Sequence, residues 1–169
     1  MGMGTLKRNF SDKKVRRSVY HILESNTLCS MSTVTRENKS HISIGYFAYT
    51  KKGELQIFYL SYPDSLHSKN LLSNSSMGIT IYDSKQEWGG HDRGIQLIGT
   101  CREAKGSLHS RAEAVYGNRF KKYLRWAKEF AKEKGSEFPM RFYRFIPQRM
   151  MIVDESVMEF GDSLVLVSK

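Results

Sequence analysis

The chain has 169 residues, 40% of them hydrophobic and 26% charged, with a formal net charge of +10. That length suits one domain with a real core, and the composition excludes an intrinsically disordered chain. No apolar run is long enough to span a bilayer and Met1–Phe10 lacks the apolar stretch of a signal peptide, so no membrane partner is expected and residues 1–10 read as a flexible N-terminus.

Ser11–Asn26 carries Val15, Val19, Ile22 and Leu23 on one face and Lys13, Lys14, Arg16 and Arg17 on the other. This is the pattern of an amphipathic helix, with Ser11 or Asp12 as its cap. Leu28–Thr35 then alternates as a strand. A polar turn at Arg36–Lys39 leads into a second strand, Ser40–Thr50, in which Ile42, Ile44, Tyr46, Ala48 and Thr50 share a face. Lys51-Lys52-Gly53 predicts a tight turn, with Gly53 able to take a positive φ. The third strand, Glu54–Tyr62, is broken by Pro63-Asp64 and followed by a short helix over Leu66–Asn74. Met77–Asp83 and Gly94–Ala104 are the fourth and fifth strands, joined by the polar, Gly-rich loop Ser84–Arg93 that holds Trp88 and His91. Leu108–Lys134 is helical, with a break near Gly117-Asn118. Met140–Ile146, a turn at Pro147, Met150–Val153 and, after Gly161-Asp162, Leu164–Val167 complete the strands. Successive strands with short turns predict an antiparallel barrel or sandwich, and the helices make the class α+β, mainly β. No repeat or interdomain linker interrupts residues 11–169, which read as a single domain.

The basic charge is unevenly placed: thirteen Lys and Arg stand against five Glu between Arg102 and Arg149. Such a charge favours anionic partners. The stretch Arg119–Lys134, basic with interleaved aromatics, resembles a nucleic-acid footprint. Its Phe120, Tyr123, Leu124, Ala127 and Phe130 fall at helical spacing, however, and read as a buried face with lysines on the solvated one. A nucleic-acid partner is therefore disfavoured. Cys29 and Cys101 sit in strand-like apolar segments and read as reduced core thiols, which suits a cytoplasmic protein. No His/Cys/carboxylate cluster has metal-ligand spacing.

The segment after the third strand concentrates chemistry. Ser61, Ser65, His67, Ser68, Lys69 and Asn70 crowd hydroxyls, an imidazole and an ammonium around a helix start. Unpaired N–H groups at a helix N-terminus favour a phosphate. The alternative is an ordinary strand–turn–helix corner in which Ser caps the helix.

In this order the segments resemble the pyridoxamine 5'-phosphate oxidase-like, FMN-binding split β-barrel superfamily. LCSMSTVTRENKSHISIGYF looks like its opening hairpin. FYLSYPDSLHSKNLLSN is similar to its strand and phosphate turn, with Ser65, His67, Asn70 and Leu71 at the pattern positions. EWGGHDRGIQLIGTCREAKG resembles its loop and following strand, and RFYRFIPQRMMIVDESVMEFG its closing strands. The resemblance implies an antiparallel split barrel with an N-terminal helix and a basic helical insertion before the closing strands. It implies an FMN-binding oxidoreductase that moves hydride or electrons to an unidentified small molecule, as a homodimer with cofactor sites at the interface.

The phosphate would lie against Ser61, Ser65, His67, Ser68, Lys69 and Asn70. The isoalloxazine would lie along Ser43, Ile44 and Gly45 with Tyr59 and Leu60, and Trp88 and Gln96 would reach the partner chain's flavin. Proton donors near a flavin would be Tyr59, His91 or Tyr46, whereas His41 and His21 read as solvent-facing or packed. Many relatives place Lys or Arg where His67 stands. The chain also lacks the Arg-x-His ending of true pyridoxamine phosphate oxidases, which argues against their substrate. A non-enzymatic flavin or haem binding or sensing protein is the alternative, with His67, His91 and His109 as candidate haem ligands; a deazaflavin could replace FMN.

Overall fold

The computed structural model describes residues 5–7, 12–134, 138–157 and 163–167. Ser11, the turn at Gly161-Asp162 and most of residues 1–10 lie outside the described residues. In chain order the elements are β1 (Thr5–Lys7), α1 (Lys13–Ser25), β2 (Leu28–Val34), β3 (Ser40–Tyr49), β4 (Ile57–Ser61), α2 (Leu66–Ser73), β5 (Ser76–Tyr82), β6 (Arg93–Glu103), α3 (Ser107–Arg119), α4 (Lys121–Lys134), β7 (Arg141–Asp154) and β8 (Ser163–Val167). Six strands close an antiparallel barrel in the order β7–β4–β3–β2–β5–β6, and β6 returns to β7. β8 pairs with the second half of β7, and β1 lies parallel to β8.

α1 begins at Asp12, whose carboxylate accepts the backbone N–H groups of Lys14 at 2.8 Å and Val15 at 3.4 Å. Its Val15, Val19, Ile22 and Leu23 enter the barrel core with Met31, Phe47, Ile57, Tyr59, Ile79, Leu97 and Phe145. Because alternate strand residues point to opposite faces, the neighbours of these core residues face outward. On β3, β4 and β7 those neighbours are Ala48, Phe58 and Phe142, which α3 and α4 cover with Ala112, Tyr116 and Tyr123. β4 is thus buried on both faces, which explains its unbroken apolar run. Burying an aromatic such as Phe58 or Phe142 stabilises by roughly 1.5–3 kcal/mol.

Three details differ from the sequence expectations. β4 starts at Ile57 because Thr50 organises the preceding loop: its hydroxyl donates to the Glu54 carbonyl (2.6 Å) and accepts the Gln56 N–H (2.9 Å). Gly53 within that loop has the expected positive φ of 72°. Pro147 does not end a strand, since β7 runs through it. The missing proline N–H is accommodated by a register shift between Ile98 and Gly99 on β6. The helical break falls at Phe120, because Gly117 stays in α3 and accepts the Leu124 side chain against its bare Cα.

Candidate functional site

Pairing between β3 and β4 stops at Phe47 opposite Tyr59, although β3 extends back to Ser40 and β4 forward to Ser61. The barrel therefore splits here. Among the described residues, the edge of β3 along Ser43–Gly45 has no strand partner on the β4 side, while β2 occupies its other edge. α2 starts beside the split.

Ser65 occupies the N-cap position of α2 but makes no side-chain bond to the helix N–H groups. Its hydroxyl instead donates to the Tyr62 carbonyl (2.7 Å) and lies 3.0 Å from Ser68 Oγ. The simple capping alternative is therefore not what the structure shows. Ser61 Oγ lies 3.2 Å from Ser65 Oγ and 2.7 Å from His67 Nε2, and Ser65 Oγ lies 3.2 Å from the same nitrogen. Ser68 is almost fully buried. Ser61, Ser65, His67 and Ser68 thus form one compact cradle at the helix start, with no acidic residue in the first turn of α2. Burial, and then the neighbouring His41, hold the His67 pKa below its ordinary value, so the imidazole is neutral at pH 7.

The other expected contacts divide. Ser43 and Gly45 lie on the inward face of β3, and the buried Ser43 hydroxyl has no partner among the described residues. Ile44 points the opposite way and is 70% exposed. The Tyr59 ring is fully buried and stacks on Tyr143 with centroids 5.2 Å apart, so it supports the cradle from beneath and its hydroxyl is not available as a proton donor at the surface. Leu60 faces the α3–α4 side with the outer core. Asn70 is turned inward, donating to Thr33 Oγ1 at 3.0 Å, and tethers α2 to β2. Lys69 is exposed on α2. Trp88, fully exposed, and Gln96, on the outer face of β6, lie on other parts of the chain. Tyr46 packs edge-on against Phe120, and His91 is exposed.

His41, read as solvent-facing or packed, is packed: its ring lies nearly parallel to that of His67, 6.3 Å away with an 11° interplanar angle. Extending the β3–β4 register backward from Phe47 and Tyr59 sets position 41 level with position 65, a juxtaposition that only the strand pairing makes. The three candidate haem histidines are not gathered: His109 packs edge-on against Phe142, away from His67 in the cradle and His91 in its loop. Among the described residues no group of three or more His, Cys, Asp or Glu could hold a metal. Both cysteines are buried and free, with pKa values pushed up by burial to about 12, so they are inert thiols. No helix among the described residues is long and apolar enough to cross a membrane.

A closed six-strand barrel split beside a hydroxyl-lined helix start defines a split-barrel protein. The family model described as pyridoxamine 5'-phosphate oxidase matches residues 17–154, and the chain belongs to that family. Solved structures share the fold at low identity. A protein of Clostridium acetobutylicum related to general stress protein 26, of the pyridoxine phosphate oxidase family, superposes with TM-score 0.66 at 10% identity, covering 92% of this chain and 96% of its own. The haem storage protein of Vibrio cholerae gives 0.62 at 16% identity, covering 82% and 93%. A haem-binding protein of Mycobacterium smegmatis gives 0.66 at 16% identity, and the match spans 86% of this chain but only 55% of that protein. No curated protein matches the sequence.

Proposed function

We propose that this chain binds FMN and uses it for hydride or electron transfer with a small molecule. The observation that carries this reading is the cradle of Ser61, Ser65, Ser68 and His67 at the uncapped start of α2, beside the open edge of β3. The residues fit the group. Hydroxyls and helix N–H groups suit a phosphate, and the Lys69 ammonium on the same helix adds charge. The open backbone of Ser43–Gly45 and the unpartnered Ser43 hydroxyl suit the polar edge of a flavin ring. When bound, FMN supplies the redox chemistry. The chain's part is to hold the phosphate, orient the ring along β3 and exclude water from it.

The site is completed by a second copy of the chain. Ile42, Ile44 and Tyr46 are 69%, 70% and 56% exposed on the outer face of β3, an unusual display of apolar surface. Ile42 continues through Ser32 and Gly78 to exposed Ile98 along one row of strand pairs. An isologous dimer would bury this row, and Trp88 and Gln96 would then contribute to the partner's site. The inert buried thiols fit a reducing cytoplasm.

Absorbance of the purified protein tests the reading. A flavin spectrum, or saturable one-per-chain uptake of FMN that weakens in His67→Ala and Lys69→Ala, supports it. A colourless protein that takes up no FMN overturns it. The second reading, a haem-binding or sensing protein, is favoured by the paired imidazoles of His41 and His67 and by the haem-binding proteins that share the fold. A Soret band on haem titration that is lost in His67→Ala would establish it. A deazaflavin would be recognised by its own blue-shifted absorbance.

A further inference from the structure

The C-terminal end of β3 carries a feature that the cofactor reading does not use. The C-terminus of α1, the loop after β3 and α3 from Arg111 onward line a groove of about 820 Å³. Small-molecule sites typically occupy about 300–1,000 Å³. The groove's wall includes the apolar bodies of Tyr49, Val115 and Phe120, and its charged groups are Lys51, Lys52, Arg111 and Arg119 against a single carboxylate, Glu24.

That carboxylate is already engaged, since Lys51 Nζ bonds Glu24 Oε1 at 2.8 Å and holds the Glu24 pKa below its ordinary value. Lys52 and Arg111 have no acidic partner among the described residues. Arg119 is fixed: its Nη2 donates to the carbonyls of Leu23 and Asn26 at the end of α1, and its guanidinium carbon lies 4.6 Å and 4.8 Å from the ring centroids of Phe47 and Tyr49. Its Nη1 is buried and finds no acceptor among the described residues. The groove therefore holds positive charge on Lys52 and Arg111 that no anion among the described residues pairs with, beside the apolar side chains of Val115 and Phe120. Tyr49 and His41 are eight residues apart on β3, so the groove is roughly 26 Å from the cradle at the rise of a strand.

We propose that this groove is a second ligand site, for a small organic anion with a flat apolar body: an aromatic ring bearing a carboxylate or a phosphate. The ring lies against Val115 and Phe120, and Lys52 and Arg111 take the anionic group at the rim. The site is independent of whether the cradle holds FMN.

Isothermal titration of the full-length protein with naphthoate, naphthyl phosphate and uncharged naphthol tests this. At least one of the two anions binds saturably with one site per chain, and naphthol binds at least about tenfold more weakly. The Lys52→Ala/Arg111→Ala double variant, altered only at exposed side chains, keeps the wild-type melting temperature and loses at least about tenfold in affinity for the anion, about 1.4 kcal/mol. Preference for naphthoate identifies a carboxylate ligand, and preference for naphthyl phosphate a phosphate ligand. Absence of saturable binding by both anions, equal binding of naphthol, or undiminished binding in the double variant overturns the proposal.

Discussion

At the cradle the chain places an imidazole, His67, among three serine hydroxyls, with His41 alongside and Lys69 exposed on the same helix. Burial and the second imidazole favour its neutral form. The unfolded chain therefore binds this proton more readily than the folded one. The stability that His67 contributes is full above the unfolded histidine value of about 6.5 and is lost as pH falls below it. A bound phosphate reverses the preference, because a nearby anion favours the imidazolium. FMN affinity is expected to tighten as pH falls from about 8 to 6. His67→Lys should bind more tightly at pH 8 and show little change over that range. Flavin fluorescence titrations at several pH values check both. Asp154 shows a polar residue with a structural task. Only 2% exposed, it accepts from Ser18 Oγ (2.5 Å), Ser156 Oγ (2.6 Å) and Arg93 Nε (3.1 Å), joining α1 to the barrel. Burial alone would raise its pKa, but the bonds from Ser156, Ser18 and Arg93 outweigh it and hold the carboxyl below its ordinary range. Its contribution is present above the unfolded value of about 3.9 and is lost as pH falls through the lower folded value. Asp154→Asn should destabilise by roughly 2–3 kcal/mol at neutral pH, measured by denaturant unfolding.

The pairing of β6 with β7 depends on one glycine. A Cβ at Gly99 would sit 2.0 Å from the Ile146 carbonyl oxygen and 2.9 Å from Pro147 Cα, both backbone atoms that no rotamer change can move. Gly99→Ala should shift the two strands apart at the bulge and cost roughly 2–4 kcal/mol, read as a lower denaturation midpoint. The α3–α4 pair is likewise explained by packing rather than by its charge. Tyr123 and the half-buried Ala127 and Phe130 face Phe138 and Phe142, as their spacing predicts. Leu124 departs from the expected buried face. It is 44% exposed, lying over Gly117 where the chain turns between the helices.

Among the described residues, Leu28, Ile42, Ile44, Tyr46, Tyr82 and Ile98 expose apolar side chains on the outer side of β2, β3, β5 and β6, while α3 and α4 cover the other outer flank. A charge at the centre of an isologous interface is repeated by symmetry and is poorly tolerated. If the proposed dimer forms, Ile44→Glu should convert it to monomers, visible by sedimentation, and should weaken any FMN uptake that depends on the partner's wall. The substitution points to solvent in the single chain, so its circular dichroism and melting temperature as a monomer should change little. A wild-type protein that sediments as a monomer would remove the dimer from the reading.

The one-dimensional pattern was sufficient for the amphipathic helix, the strand sequence, the polar turn after Ser61 and the family. Periodicity and turn chemistry are local, and they survive in any correct fold of these residues. It also placed Ser61, Ser65, His67 and Ser68 together, because they lie within eight positions of one another. It could not tell which neighbours on a strand share a ligand-facing side. Tyr59 became core and Ile44 became outer surface because the barrel has an inside, an α3–α4 flank and an open flank, and only closure assigns them. Nor could it join His41 to His67, or Lys52 to Arg111 and Arg119. Those meetings are made by the register of β3 on β4 and by the packing of α3 against the end of α1, contacts between residues far apart in the chain.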